Sequence, residues 1–226
     1  MTALRLLVVD DHAIVREGLV RVLAGSMPDW VVTEAASGFQ ALALLHGQAF
    51  DAVVVDLSMP GMSGLDLIKR IRSEVGSVPV LVLSMHAEDQ YALRAFKSGA
   101  NGYLTKERAG DELVSAVKRI VAGGAYASER LAQQVLIGLH EGSRRGAGTN
   151  ELSDREFDVL GRIVAGQSLS EIGIELHLSV KTISSHKRRI MDKLQLTSTA
   201  ALIRYGMEHG IHSDGQGQTV RAAGPD

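Results

Sequence analysis

Five short apolar runs punctuate the first half of the chain: Leu4–Val9, Val31–Glu34, Ala52–Val55, Val78–Leu83 and Gly102–Leu104. Between them apolar residues recur at helical spacing: Ile14, Leu19 and Val22; Leu42, Leu44 and Leu45; Leu65, Ile68 and Ile71; Leu93 and Phe96. A fifth helical stretch, Leu113 to Val121, follows the last run. The first, third and fourth runs are nearly unbroken Val and Leu, the pattern of strands covered on both faces. Strands alternating with helices predict an α/β fold, a doubly wound five-stranded parallel sheet. Right-handed crossovers then bring every strand's C-terminal end to one rim.

After Val121 the pattern changes. Gly123-Gly124 interrupts, a helix is predicted from about Glu129 to Leu139, and the stretch EGSRRGAGTN, Glu141 to Asn150, has the composition of a flexible linker. From Leu152 to about Gly210 the signals are helical only. Ser153 with Glu156, and Ser168 with Glu171, fit the S-x-x-E capping box, and Ser179 is a third candidate N-cap. The predicted division is 1–124 for the sheet domain, 125–147 for a helical and flexible linker, 148–212 for a small all-α domain and 213–226 for a disordered tail.

Composition narrows the classes. Hydrophobic residues make up 45% and charged residues 22%, enough to bury real cores and to exclude collagen-like or wholly disordered readings. The chain has no cysteine, which excludes disulfide scaffolds, cysteine metal sites and thiol nucleophiles. No apolar run approaches the roughly 18 residues of a spanning helix, and Asp10-Asp11 cuts short the first one. A cytoplasmic protein without a membrane partner is expected.

The rim of the sheet domain concentrates acid. Asp10 and Asp11 end the first strand and Asp56 the third, and a 2-1-3 strand order makes those strands neighbours. Clustered carboxylates repel unless something positive intervenes. A hard cation such as Mg²⁺ suits them, because it accepts a few carboxylates and keeps its waters. Ser84 ends the fourth strand and Lys106 follows the fifth. The set suits attack by a carboxylate on phosphorus, with Asp56 the nucleophile, Lys106 and the metal neutralising the phosphoryl oxygens, and Ser84 donating a hydrogen bond to one of them.

Net charge of −2 hides a second concentration. Lys181 to Lys193 carries five positive residues, Lys181, Lys187, Arg188, Arg189 and Lys193, against Asp192 alone. With a short helix before it and a turn at His177-Leu178-Ser179, this outlines a helix-turn-helix.

Motifs of both halves resemble a known family. Asp10-Asp11, the run Asp56-Leu-Ser-Met-Pro-Gly61, Ser84 and the run Gly99-Ala-Asn-Gly-Tyr-Leu-Thr-Lys106 resemble the flavodoxin-like receiver domain of two-component response regulators. The stretches Leu152–Leu160, Gly166–Ile172, Leu178–His186 and Lys193–Leu196 resemble the LuxR-type DNA-binding domain. Together they are similar to the NarL/FixJ-type response regulators. The resemblance implies that Asp56 takes a phosphoryl group from a cognate sensor histidine kinase. It also implies Mg²⁺ held by Asp11 and Asp56, by Asp10 through water and by the Ser58 carbonyl. Ser84 and Tyr103 would be the switch pair, the Tyr103 ring moving inward. Ser184, Ser185 and Arg188 would read base edges of double-stranded promoter DNA, and Lys181, Thr182, Lys187 and Arg189 would contact phosphates. A homodimer when phosphorylated is implied, and RNA polymerase is a further candidate partner. The inactive state would mask the recognition helix or keep protomers apart. Phe157 stands where a polar residue is commoner, with no functional consequence expected, and Gly173 stands where Ala is usual, at a slight cost in helix stability.

Two other classes compete. A haloacid-dehalogenase-type phosphatase also forms an aspartyl-phosphate, but its second Asp would fall at position 58, which is Ser. An interaction switch without DNA output would leave the basic helix unused. No phosphate-binding glycine loop and no H-E-x-x-H pattern occurs. The expected protein is a phosphorylation-dependent transcription regulator, not an enzyme.

Overall fold

In the computed structural model, residues 3–85, 88–128, 131–133 and 152–211 are described. The expected flexible stretch 141–150, the tail 213–226 and most of the helix predicted over 129–139 lie outside them. The strands are β1 (Arg5–Val9), β2 (Val31–Ala35), β3 (Ala52–Asp56), β4 (Val80–Ser84) and β5 (Gly102–Thr105). They form one parallel sheet in the order β2-β1-β3-β4-β5. The helices between and after them are α1 (Ala13–Ser26), α2 (Gly38–Gly47), α3 (Gly64–Arg70), α4 (Glu88–Ser98) and α5 (Ala109–Val121).

The unbroken Val/Leu strands feed two cores because successive side chains point to opposite faces. Leu6, Val8, Val54, Leu81, Leu83 and Leu104 meet α1 and α5. Leu7, Val9, Val53, Val55, Val80 and Val82 meet α2, α3 and α4. β3 and β4 are buried throughout, whereas edge strand β2 is only partly covered. The parallel register then aligns the ends of β1 and β3 at one rim, with Leu83 of β4 opposite Asp56.

Two local features shape that rim. Gly61, with φ of 77°, turns the chain after Asp56. Ser63 then caps α3, its hydroxyl accepting from the Asp66 amide at 3.1 Å. Gly64 lies so close to the end of β3 that a Cβ there would stand 2.2 Å from the Asp56 carbonyl oxygen and 2.7 Å from Leu57 Cα. At the other end of α3, a π-helical turn over Ile71–Val75 presents Arg72. Its guanidinium donates to the carbonyls of Gly76, Val78 and Gly99 and to Asn101 Oδ1, tying α3 to the starts of β4 and β5.

The chain stays on the sheet beyond the boundary expected at 124. Tyr126 exchanges backbone hydrogen bonds with Asn101 and Tyr103 along β5, and its hydroxyl donates to Glu112 at 2.6 Å. The second half is helical, as expected: α6 (Asp154–Val164), α7 (Leu169–Glu175), α8 (Val180–Lys193) and α9 (Thr199–Glu208). Both predicted capping boxes are present, Ser153 with Glu156 and Ser168 with Glu171. No helix among the described residues is long and apolar enough to cross a membrane.

Gly64→Ala tests how tightly α3 seats on the end of β3. The backbone must move, and a loss of about 1–3 kcal/mol is expected in thermal or denaturant unfolding. An unchanged unfolding midpoint would contradict the close approach.

Candidate functional site

The rim residues expected to cooperate are brought together by three strand ends. Asp10 and Asp56 are buried, and Lys106, directly after β5, reaches both: its Nζ is 2.8 Å from Asp10 Oδ2 and 3.1 Å from Asp56 Oδ2. Asp11 is half-buried beside them. One ligand atom from each of Asp10, Asp11, His12 and Asp56 falls within a 4.8 Å cluster.

Burial dominates the electrostatics. It raises Asp56 to about 6, with Lys106 opposing and Asp10 and Asp11 adding to the rise. For Lys106 burial acts against the charge, yet facing Asp56 and Asp10 outweighs it and the ammonium is held above its usual value. Asp11 Oδ1 and Asp56 Oδ2 are both enclosed, with His12 Nδ1 3.1 Å from the first and the Lys106 ammonium 3.1 Å from the second. Three clustered carboxylates facing a single ammonium leave negative charge uncompensated, so the oxygen donor set fits a hard divalent cation.

Ser84 is fully buried at the end of β4, one residue beyond the register partner of Asp56. Tyr103, the other residue expected in the switch pair, is fully buried too. Its neighbours explain this: it shares one apolar cluster with Tyr91 of α4 and Phe157 of α6. Ser58 is half-buried in the loop after Asp56.

Two residues of the rim escaped sequence reasoning. His12 Nδ1 stands 3.1 Å from Asp11 and 3.5 Å from Asp10, and its amide donates to Asp10 at 2.8 Å. Arg16, one turn into α1, donates to the Asp10 carbonyl at 2.7 Å and to Glu34 at 2.9 Å. Its position one helical turn after an acidic strand end was the available signal.

The basic helix stands where the spacing placed it. Ile183 and Ile190 are buried, while Lys181, Ser184, Ser185, Arg188 and Arg189 are exposed. The polar and basic face of α8 is therefore open to solvent. Ser185 turns its hydroxyl back to the Lys181 carbonyl at 2.9 Å, and Thr182 shares the Ser179 cap at 2.8 Å. Lys187 is half-buried, its ammonium donating to Thr199 at 2.7 Å. Glu156 accepts from Lys193 at 2.7 Å, so the α6 cap also anchors the C-terminal end of α8. Gly173 proves to be a point of close approach. A Cβ there would lie 2.8 Å from the Leu178 carbonyl oxygen, across the turn between α7 and α8.

Comparison with known proteins gives a consistent picture for both halves. Residues 6–118 match the family described as the response regulator receiver domain, and residues 150–206 match the bacterial regulatory proteins of the luxR family. The chain is 33% identical over 208 residues to response regulator UvrY of Escherichia coli (strain K12), covering 92% of this chain and 95% of that protein. It is 35% identical over 212 residues to transcriptional regulatory protein MctR of Rhizobium johnstonii, covering 93% and 96%. Among solved structures it resembles RcsB of Salmonella enterica serovar Typhimurium bound to promoter rprA with phosphomimetic BeF3−. That similarity has a TM-score of 0.60 and 28% identity over 89% of this chain and 98% of that one.

The raised Asp56 carries a stability consequence with a definite sign. The folded state holds this proton more tightly than the unfolded chain, so ionising Asp56 destabilises the fold. The penalty is absent below about pH 4, grows as pH rises and is complete above about 6. Asp56→Asn is therefore expected to stabilise the metal-free protein at neutral pH by about 3 kcal/mol. The gain shrinks toward zero near pH 4. Equal stability of the two proteins at neutral pH, measured by denaturant unfolding in EDTA, would contradict this.

Proposed function

This chain belongs to the response regulators that join a receiver domain to a LuxR-type DNA-binding domain, and we propose that Asp56 is its phospho-acceptor. It is a phosphorylation-dependent DNA-binding transcription regulator. The observation that carries the site assignment is the buried set Asp10–Lys106–Asp56 at the sheet rim, beside Asp11.

A carboxylate oxygen of Asp56 forms the new bond to phosphorus while the bond to the donor, a phosphohistidine of the sensor kinase, breaks. The electron pair of that bond leaves with the donor nitrogen. Asp10, Asp11, Asp56 and the Ser58 carbonyl would hold Mg²⁺, which would supply charge neutralisation at the phosphoryl oxygens. Lys106 is poised to exchange its contact with Asp56 for a phosphoryl oxygen, since a more highly charged partner attracts the ammonium more strongly. Ser84, at the neighbouring strand end, is the hydroxyl donor to the same group, and Tyr103, on β5, is its partner in the switch.

The output follows from the open face of α8. Ser184, Ser185 and Arg188 present short polar and forked donors to base edges. Lys181, Thr182, Lys187 and Arg189 flank them for phosphates. Pairing of two phosphorylated copies matches two reading helices to two half-sites. The protein acts in the cytoplasm, where promoter DNA and RNA polymerase are found.

Two experiments test the assignment. Asp56→Asn is expected to abolish incorporation of phosphate from acetyl phosphate and Mg²⁺, and chelation is expected to do the same to the wild type. Undiminished incorporation in the variant would sink the acceptor. Arg188→Ala should weaken binding to the selected promoter duplex by about 1–3 kcal/mol and relax its sequence preference. Unchanged affinity and preference would remove Arg188 from the reading face.

A further inference from the structure

Phe157 of α6 was expected to have no functional consequence, yet it is fully buried against the sheet domain. Arg94 of α4 lies over its ring, with the guanidinium carbon 4.2 Å from the centroid, and Tyr91 meets it edge-on at 4.8 Å. Asp154, the first residue of α6, accepts from Arg94 Nη1 at 2.9 Å and from Lys69 Nζ at 2.5 Å. Arg94 also donates to the Leu152 carbonyl at 3.1 Å.

Beside these contacts a cavity of about 460 Å³ opens between α3 and α4 on one side and the start of α6 on the other. Its wall holds four cations, Lys69, Arg94 and Lys97 from the sheet domain and Arg155 from the helical domain, against the carboxylates Asp66 and Asp154. Asp154 already serves two of the cations, and Asp66 accepts from the Ser63 hydroxyl at 2.7 Å. A cleft dominated by one sign of charge focuses the field and concentrates counter-ions. Two of the cations are fixed in advance. Stacking on Phe157 and two hydrogen bonds hold Arg94, while Arg155 donates to the Leu176 carbonyl at 3.2 Å and stands 3.5 Å from Asp158. Donors held in place before a ligand arrives lose little freedom on binding it.

The excess of cations over carboxylates in the wall suits a dianion. A phosphomonoester carries a charge of about −1.5 to −2 at neutral pH on three acceptor oxygens, and guanidinium forks match phosphate oxygens in geometry. The volume falls within the range of small-molecule sites, about 300–1,000 Å³, which leaves room for an organic body beside the phosphate. None of the wall residues belongs to the acidic rim.

We propose that this cavity is a binding site for a small phosphomonoester, a free metabolite whose phosphate is held by Arg94 and Lys97 of the sheet domain and by Arg155 of the helical domain. A ligand held from both sides favours the arrangement in which the two domains touch, and does so more strongly as its concentration rises above its dissociation constant. The site does not depend on Asp56 as the acceptor.

The test uses the full chain with EDTA present, so that no metal draws phosphate to the rim. Glycerol 3-phosphate is titrated into the ¹⁵N-labelled protein, with glycerol and sodium sulfate as controls at matched ionic strength. Saturable amide shifts centred on Lys97, Ser98, Ser153 and Arg155 are expected, absent with glycerol and weaker with sulfate. Lys97→Gln and Arg155→Gln are each expected to lower the affinity about tenfold. Arg155→Lys, which keeps the charge and loses the fork, is expected to fall between Arg155→Gln and the parent. Shifts spread evenly over α8 and the other basic surfaces, or a response to sulfate as strong as to the phosphomonoester, would mean an adventitious ion only and overturn the site. Unchanged affinity in both Gln variants would overturn it as well, and a loss confined to one of them would overturn the grip from both domains.

Discussion

One ammonium group holds the acidic rim together. Asp10 and Asp56 are both almost wholly removed from water, and Lys106 is the cation that touches each. Without it the ends of β1 and β3 would carry facing buried charges with nothing to balance them, a situation proteins avoid by protonation or by unfolding the edge. With it the ends of β1, β3 and β5 are pinned to one point, and Asp56 is left only partly compensated, its affinity for a proton raised. Such a carboxylate is ready for a further positive partner. The same residual imbalance that weakens the metal-free fold makes the pocket receptive to a cation and a phosphoryl group.

From that point the rest of the molecule follows by contact. Gly64 lets α3 start against the end of β3 itself, so displacement there reaches α3 directly. Arg72 ties the far end of α3 to β4 and β5, and Tyr126 adds the departing chain to β5 beside Tyr103. The helical domain has its own anchor: Glu156 closes the cap of α6 and holds Lys193 at the end of α8. The orientation of α8 is thus linked to the N-terminus of α6, the element that rests on the sheet domain.

Much of this was legible in the sequence. Unbroken Val/Leu runs marked the covered strands, and a doubly wound order placed Asp10, Asp56 and Lys106 on one rim before any coordinate was known. Capping boxes at Ser153 and Ser168 marked helix starts because their pattern is local. Contacts set by long side chains crossing between elements were not legible. Arg16 reaches back to the Asp10 carbonyl, Arg72 gathers carbonyls from two loops, and Tyr126 extends the sheet past the expected boundary. Phe157 looked inconsequential because a helix's own periodicity does not reveal that an arginine and a tyrosine of another domain cover it. Gly173 looked like a weak helix residue for the same reason, its neighbour across the turn being invisible to propensity.

The central claim is that Asp56 carries the phosphoryl group. Borohydride reduction converts an aspartyl-phosphate to homoserine, so reduction after acetyl phosphate treatment, followed by peptide mapping, locates the acceptor directly. The account predicts homoserine at position 56 alone, appearing only when Mg²⁺ is present. Homoserine at Asp10 or Asp11, or none in a protein that has gained the mass of a phosphoryl group, would contradict it.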